Sequence, residues 1–120
     1  MTMGHDEKLS IQTTEVSGHK IMRVAGQIDS VTALRFEKYL LDTLGQCHRL
    51  GVDCSALDYV SSAGIRVLLT TAKRIKSLDG RFEMFALTPM MSRMIEISCL
   101  TSVLSIHASE EDALAALARE

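Results

Sequence analysis

Apolar residues at Leu9, Ile11 and Val16, and again at Ile21 and Val24, fall in two short stretches separated by Ser17-Gly18. This pattern predicts strands over residues 8–16 and 19–25 joined by a hairpin turn. After Gly26-Gln27-Ile28-Asp29-Ser30 the period lengthens. Ala33, Phe36, Leu40 and Leu44 recur at threes and fours, predicting a helix with Asp29 or Ser30 as N-cap and Gly45 at its end. Leu50 to Cys54 predicts a central strand whose exit, extended or turning, runs on through Val60. The clearest helix follows, with Ile65, Leu68, Leu69, Ala72 and Ile75 on one face and Arg66, Lys73, Arg74 and Lys76 largely off it. Asp79-Gly80 closes it as a turn. Residues 82–87 form another apolar strand, and Thr88-Pro89 opens a helix to about residue 97 that buries Met91, Met94 and Ile95. A short strand at 103–106 precedes a last helix from Ser109, with Glu110, Glu111 and Asp112 in the first turn, where the helix dipole favours acids.

The predicted order is β-β-α-β-α-β-α-β-α. Strands alternating with helices need crossover connections, so the expected fold is α/β: a mixed, largely parallel sheet of four to five strands. About four helices are expected to pack mainly on one face, and the opening hairpin makes one edge antiparallel. With 120 residues, 47% of them hydrophobic, and a single proline, the chain reads as one domain over 8–120, behind a flexible polar lead at 1–7.

Charge and cysteine content narrow the function classes. Thirteen basic and 15 acidic side chains give a net charge of −2, too balanced for a nucleic-acid or anionic-membrane surface. Apolar runs such as Val67-Leu68-Leu69 are far shorter than a spanning helix needs, and the polar start is unlike a signal peptide, so a soluble, cytoplasmic protein is expected. Cys47, Cys54 and Cys99 are odd in number and far apart, and read as small buried hydrophobes. His5, His19, His48 and His107 share no ligand spacing, so neither a metal nor a cofactor is expected. Met90, Met91 and Met94 read as core, and Lys73, Arg74 and Lys76 as a solvated face.

Chemistry concentrates where the central strand exits into Ser61-Ser62-Ala63-Gly64 and a strongly amphipathic helix. Ser62 falls at the N-cap position, where a hydroxyl contributes about 1 kcal/mol. The same position tolerates an anion, because the helix dipole and unpaired N–H groups favour negative charge there. Capping and phosphorylation both fit the residue. A phosphate would add about −1.5 to −2 charges, with Arg66 four residues on.

The stretch resembles the signature of STAS domains, in particular the anti-sigma factor antagonists of bacterial partner switching. Gly26-Gln27-Ile28-Asp29 and Val31-Thr32-Ala33 are similar to that family's turn before the first helix, and Ser61-Ser62-Ala63-Gly64 with residues 65–69 to its Asp-Ser-Ser/Thr-Gly and Leu/Ile-rich helix. The resemblance implies that Ser62, two before the glycine, is the kinase target. It also implies that Asp29, Ser61, Ala63, Gly64 and Arg66 meet the partner. Ser61 stands where the family has aspartate, and Ala63 where it has a second hydroxyl. The implied partners are an anti-sigma factor serine kinase and a PP2C-type phosphatase, with the protein a monomer or weak dimer and no enzyme. The rival within the fold is a constitutive scaffold, in a transporter-associated or stress complex, with Ser62 only a cap.

Two other classes fail on residues. A nucleophile elbow requires Gly-x-Ser-x-Gly, and Val60 occupies the first glycine position; His107 would join a triad only by assumption. A phospho-receiver needs an acidic pair after its first strand to hold magnesium, and residues 11–16 read Ile-Gln-Thr-Thr-Glu-Val.

Overall fold

The computed structural model describes residues 3–5, 8–98, 100 and 103–119. Leu9, Ile11 and Thr13 are buried on alternate positions of strand β2 (Leu9–Val16), as the period of two dictates. A turn at Ser17-Gly18, both with positive φ, returns the chain into β3 (His19–Ile28), antiparallel to β2. Gly26 at φ +102° lets the backbones close: a Cβ there would stand 2.0 Å from the Lys8 carbonyl oxygen, which instead accepts from the Gln27 N–H at 2.7 Å.

From β3 the chain crosses through α1 (Ala33–Leu44) into β4 (Arg49–Val60), parallel to β3, and through α2 (Ser62–Ser77) into β5 (Arg81–Phe85). Helix α3 (Pro89–Ile97), strand β6 (Ser105–His107) and α4 (Glu110–Leu117) complete it. Thr88 and Ser109 cap α3 and α4 through their hydroxyls. The sheet is mixed and largely parallel, with the expected hairpin edge, and its strands run in sequence order.

It has six strands among the described residues, one more than expected. The addition is β1 (Met3–His5), antiparallel to β2, which falls within the lead expected to be flexible. Residues 1, 2, 6 and 7 of that lead lie outside the described residues. Where a strand at 50–54 with an extended or turning exit was expected, β4 is one continuous strand of 12 residues.

Two apolar clusters flank the sheet. The larger gathers Leu50, Val52 and Cys54 of β4 with Phe36 and Leu40 of α1, Leu68 and Ile75 of α2, and Met91 and Ile95 of α3. The smaller joins Ile21 and Phe85 to Ala113 and Leu117 of α4 on the opposite face. Three helices thus cover one face and α4 the other. Leu69, Ala72 and Met94 are only half-buried. Cys54 is buried and its thiol is pushed up to about 12, chiefly by burial; Cys47 is half-exposed, and Cys99 lies outside the described residues.

Candidate functional site

The parallel strands β3 and β4 end side by side, and the site is built on that edge. The Ser61 N–H donates to the Ile28 carbonyl oxygen at 2.7 Å, which ties the two strand ends together and holds Ser61 extended at φ −83° and ψ 174°. Its carbonyl oxygen accepts the first helical bond, from the Ile65 N–H at 2.9 Å, and its Oγ accepts from the Gly64 N–H at 3.3 Å. Ser61 is therefore the N-cap of α2.

This corrects the expectation that Ser62 would cap. Ser62 is the first helical residue and is exposed. The correction has a physical cause: the strand-to-strand bond of Ser61 fixes the extended backbone that a cap requires, one residue earlier than the apolar pattern suggests.

Ala63 is half-buried, and Gly64 is buried where the helix meets the strand ends. A Cβ on Gly64 would stand 2.7 Å from Ile28 Cγ2 and 2.9 Å from Val60 Cγ1, so glycine is required by packing. Being buried, Gly64 sets the height of the helix start rather than offering a contact of its own.

Asp29 leaves the end of β3 and organises the turn into α1. Its Oδ1 accepts from the N–H groups of Val31 and Thr32, both at 2.9 Å, and its Oδ2 lies 3.1 Å from Lys8 Nζ. Its own N–H donates to Thr32 Oγ1, which donates in turn to the Gln27 carbonyl oxygen, each at 2.9 Å. These bonds, the Thr32 N–H first and Lys8 next, lower the carboxyl to about 2. Thr32, not Asp29 or Ser30, immediately precedes α1; Asp29 acts one turn earlier.

Between α1 and α2 runs a groove of about 190 Å³, walled by Leu34 and Glu37 on one side and by Ala63, Arg66 and Val67 on the other. Val31 and Leu34 beside it are each 73% exposed. The sequence expectations passed over these two. The signal was present for Leu34, because the face set by Ala33, Phe36, Leu40 and Leu44 leaves Leu34 and Leu41 pointing away from the core, whereas Val31 lies in the turn before the helix. Arg66 is exposed and makes no ion pair among the described residues. The first turn of α2 carries no acid.

Ser61, Ser62, Ala63, Gly64 and Arg66 thus share one helix start, with Asp29 on the neighbouring strand end. Asp53, on β4, is committed elsewhere. It pairs with Arg23 at 2.9 Å, and Arg23 reaches Glu110 of α4 at 2.7 Å. His107 Nε2 lies 2.7 Å from the buried Glu83 Oε1, which also accepts from Ser105 Oγ at 2.5 Å, so His107 belongs to the β5–β6 edge rather than to a triad with Ser62.

A family model described as the STAS domain matches residues 10–113. The chain belongs to the STAS domain family. This STAS domain is 31% identical over 109 residues to BtrV of Bordetella bronchiseptica, named as an anti-sigma factor antagonist, covering 90% of this chain and 94% of that one. The crystal structure of an anti-sigma factor antagonist from Mycobacterium paratuberculosis superposes with a TM-score of 0.84 at 25% identity, covering 93% of this chain and 96% of that one. The phosphorylated form of the Bacillus cell fate determinant SpoIIAA shares the fold at a TM-score of 0.67 and 18% identity, covering 88% and 97%. No helix among the described residues is long and apolar enough to cross a membrane.

Proposed function

We propose that this STAS domain is an anti-sigma factor antagonist: unphosphorylated, it binds an anti-sigma factor that is also a serine kinase, and the sigma factor is released. The kinase then transfers the γ-phosphoryl of ATP to Ser62 Oγ. The bond to ADP breaks, and the hydroxyl proton leaves to the kinase's base. The added charge and bulk end the complex, and a PP2C-type phosphatase restores the serine. On this reading the domain acts in the cytoplasm and catalyses nothing itself.

One observation carries the proposal. Ser62 is exposed at the start of α2 while its neighbour does the capping, so its hydroxyl is accessible and its modification leaves the cap bond intact. The names of BtrV and of the mycobacterial structure support the assignment to anti-sigma factor antagonists. Asp29 contributes the shape of the adjoining turn, Ala63 and Gly64 a low helix start, and Arg66 a cation. Val31 and Leu34 add apolar surface of the kind that anchors interfaces. The scaffold alternative made Ser62 a cap, and that role is filled by Ser61.

The test is to incubate the protein with ATP and an anti-sigma factor serine kinase from the same organism, then locate phosphate by mass spectrometry. Wild type and Ser61→Ala should be modified on Ser62, while Ser62→Ala should stay unmodified and bound. Phosphate persisting on Ser62→Ala would place the site elsewhere. Equal partner binding by wild type and Ser62→Ala with no phosphate on either would favour the scaffold.

A further inference from the structure

We propose that Arg66 is the internal counter-ion of a phosphate on Ser62, so that modification draws the guanidinium out of the α1–α2 groove and onto the head of its own helix. The inference rests on the reading of Ser62 as the modified residue. It goes beyond that reading by assigning a residue to the modified state.

Ser62 and Arg66 are the first and fifth residues of α2, both exposed, and residues four apart lie one above the other on a helix surface. The pair is already in register, with no backbone movement needed. Arg66 makes no ion pair among the described residues, so a phosphate would not have to displace an existing partner.

The charged groups around it favour this outcome. Glu37, across the groove, is the acid in the groove wall and is not paired with Arg66. Lys8 and Asp29 are paired with each other. A phosphate dianion outcompetes a single carboxylate for a guanidinium, whose planar fork matches two phosphate oxygens at once. The dipole and the N–H groups of Ser62 and Ala63, which have no acceptor within the helix, help any anion at this end. Arg66 supplies the part that a substitution can remove.

Withdrawal of Arg66 gives the switch a second arm. The phosphate adds negative charge at the rim, and at the same time the groove loses its free cation. A partner that meets Arg66 in the unmodified protein would lose that contact even where the phosphate itself clears the interface.

The experiment needs no kinase. Phosphoserine is installed at position 62 of the full chain by genetic encoding, and its second ionisation is followed by phosphorus NMR in wild type, Arg66→Ala and Arg66→Lys. Arg66→Ala should raise that ionisation by roughly 0.3–0.5 of a pH unit, the equivalent of an exposed pair, with Arg66→Lys in between and all differences shrinking in high salt. Coincident titrations of wild type and Arg66→Ala, with unchanged thermal midpoints, would overturn the inference. That failure is distinct from failure of the proposed function, which is read from whether a kinase modifies Ser62 in the unmodified protein.

Discussion

Replacing each of the two adjacent serines by alanine separates the structural hydroxyl from the exposed one. Ser61→Ala removes the acceptor of the Gly64 N–H and leaves a part-buried donor without a partner. Loss of an N-cap costs typically about 1 kcal/mol, and the 3.3 Å length of this bond places it in the lower part of the range, about 0.5–1 kcal/mol. Ser62→Ala removes an exposed hydroxyl at the first helical position and adds a residue of higher helix propensity, so its effect should lie within about 0.5 kcal/mol of zero, on either side. Ser61→Asp keeps an acceptor and places a carboxylate at the positive end of the helix dipole, and should match or exceed wild-type stability. The chain has no tryptophan, so urea unfolding is best followed by far-UV circular dichroism. Each kcal/mol also moves the thermal midpoint by roughly 3–6 °C in a domain of this size. A Ser62→Ala variant that loses as much stability as Ser61→Ala would refute the cap assignment and restore the view of Ser62 as a structural residue.

Gly64→Ala should destabilise by about 1–2 kcal/mol in the same assay. Its Cβ would press on two stiff β-branched side chains at 2.7 and 2.9 Å, whereas Gly45→Ala, at φ −66° with nothing closer than 3.4 Å, should be neutral or stabilising. The Asp29 carboxyl is lowered from 3.8 to about 2 in the folded protein, so its contribution is complete above about pH 4 and is lost as pH falls towards 2. Acid unfolding of Asp29→Asn should accordingly be shallower across that window, and a curve parallel to wild type would contradict the turn's role. Cys47, half-exposed, should react with a thiol reagent in the native state, while Cys54 should react only on unfolding; peptide mapping showing early modification of Cys54 would contradict its burial.

The parts of the fold legible in the sequence are those in which one face is buried and the other is not. The hairpin, the faces of α1 and α2, and the Thr88 and Ser109 caps all follow from period and capping chemistry. β4 was harder to read, because Asp53, Ser55 and Asp58 interrupt its apolar run. Asp53 is accommodated by the ion pair with Arg23, a partner 30 residues away that no local pattern reveals. β1 carries no apolar alternation in Met-Gly-His, and its place depends on the open edge of β2. At the site, the motif located the helix start to within one residue. Two consecutive serines are equivalent to any local capping rule, and only the long-range bond from Ser61 to Ile28 decides between them.

That decision also accounts for the departure from the family pattern. Ser61 stands where the resembled motif has aspartate, so a carboxylate is exchanged for a hydroxyl at the head of α2. As an N-cap the aspartate is easy to replace, since serine and aspartate present a side-chain oxygen to the same backbone N–H with nearly equal preference. The exchange therefore preserves the geometry that frees Ser62, and changes only the charge beside it. On the proposed function, removing a carboxylate there would lessen repulsion of a phosphate on Ser62, and Arg66 one turn further along would act in the same direction. In this chain the four-residue stretch divides its tasks: Ser61 caps, Ala63 and Gly64 keep the helix close to the strand ends, and Ser62 is left with no structural duty that a phosphate would disturb.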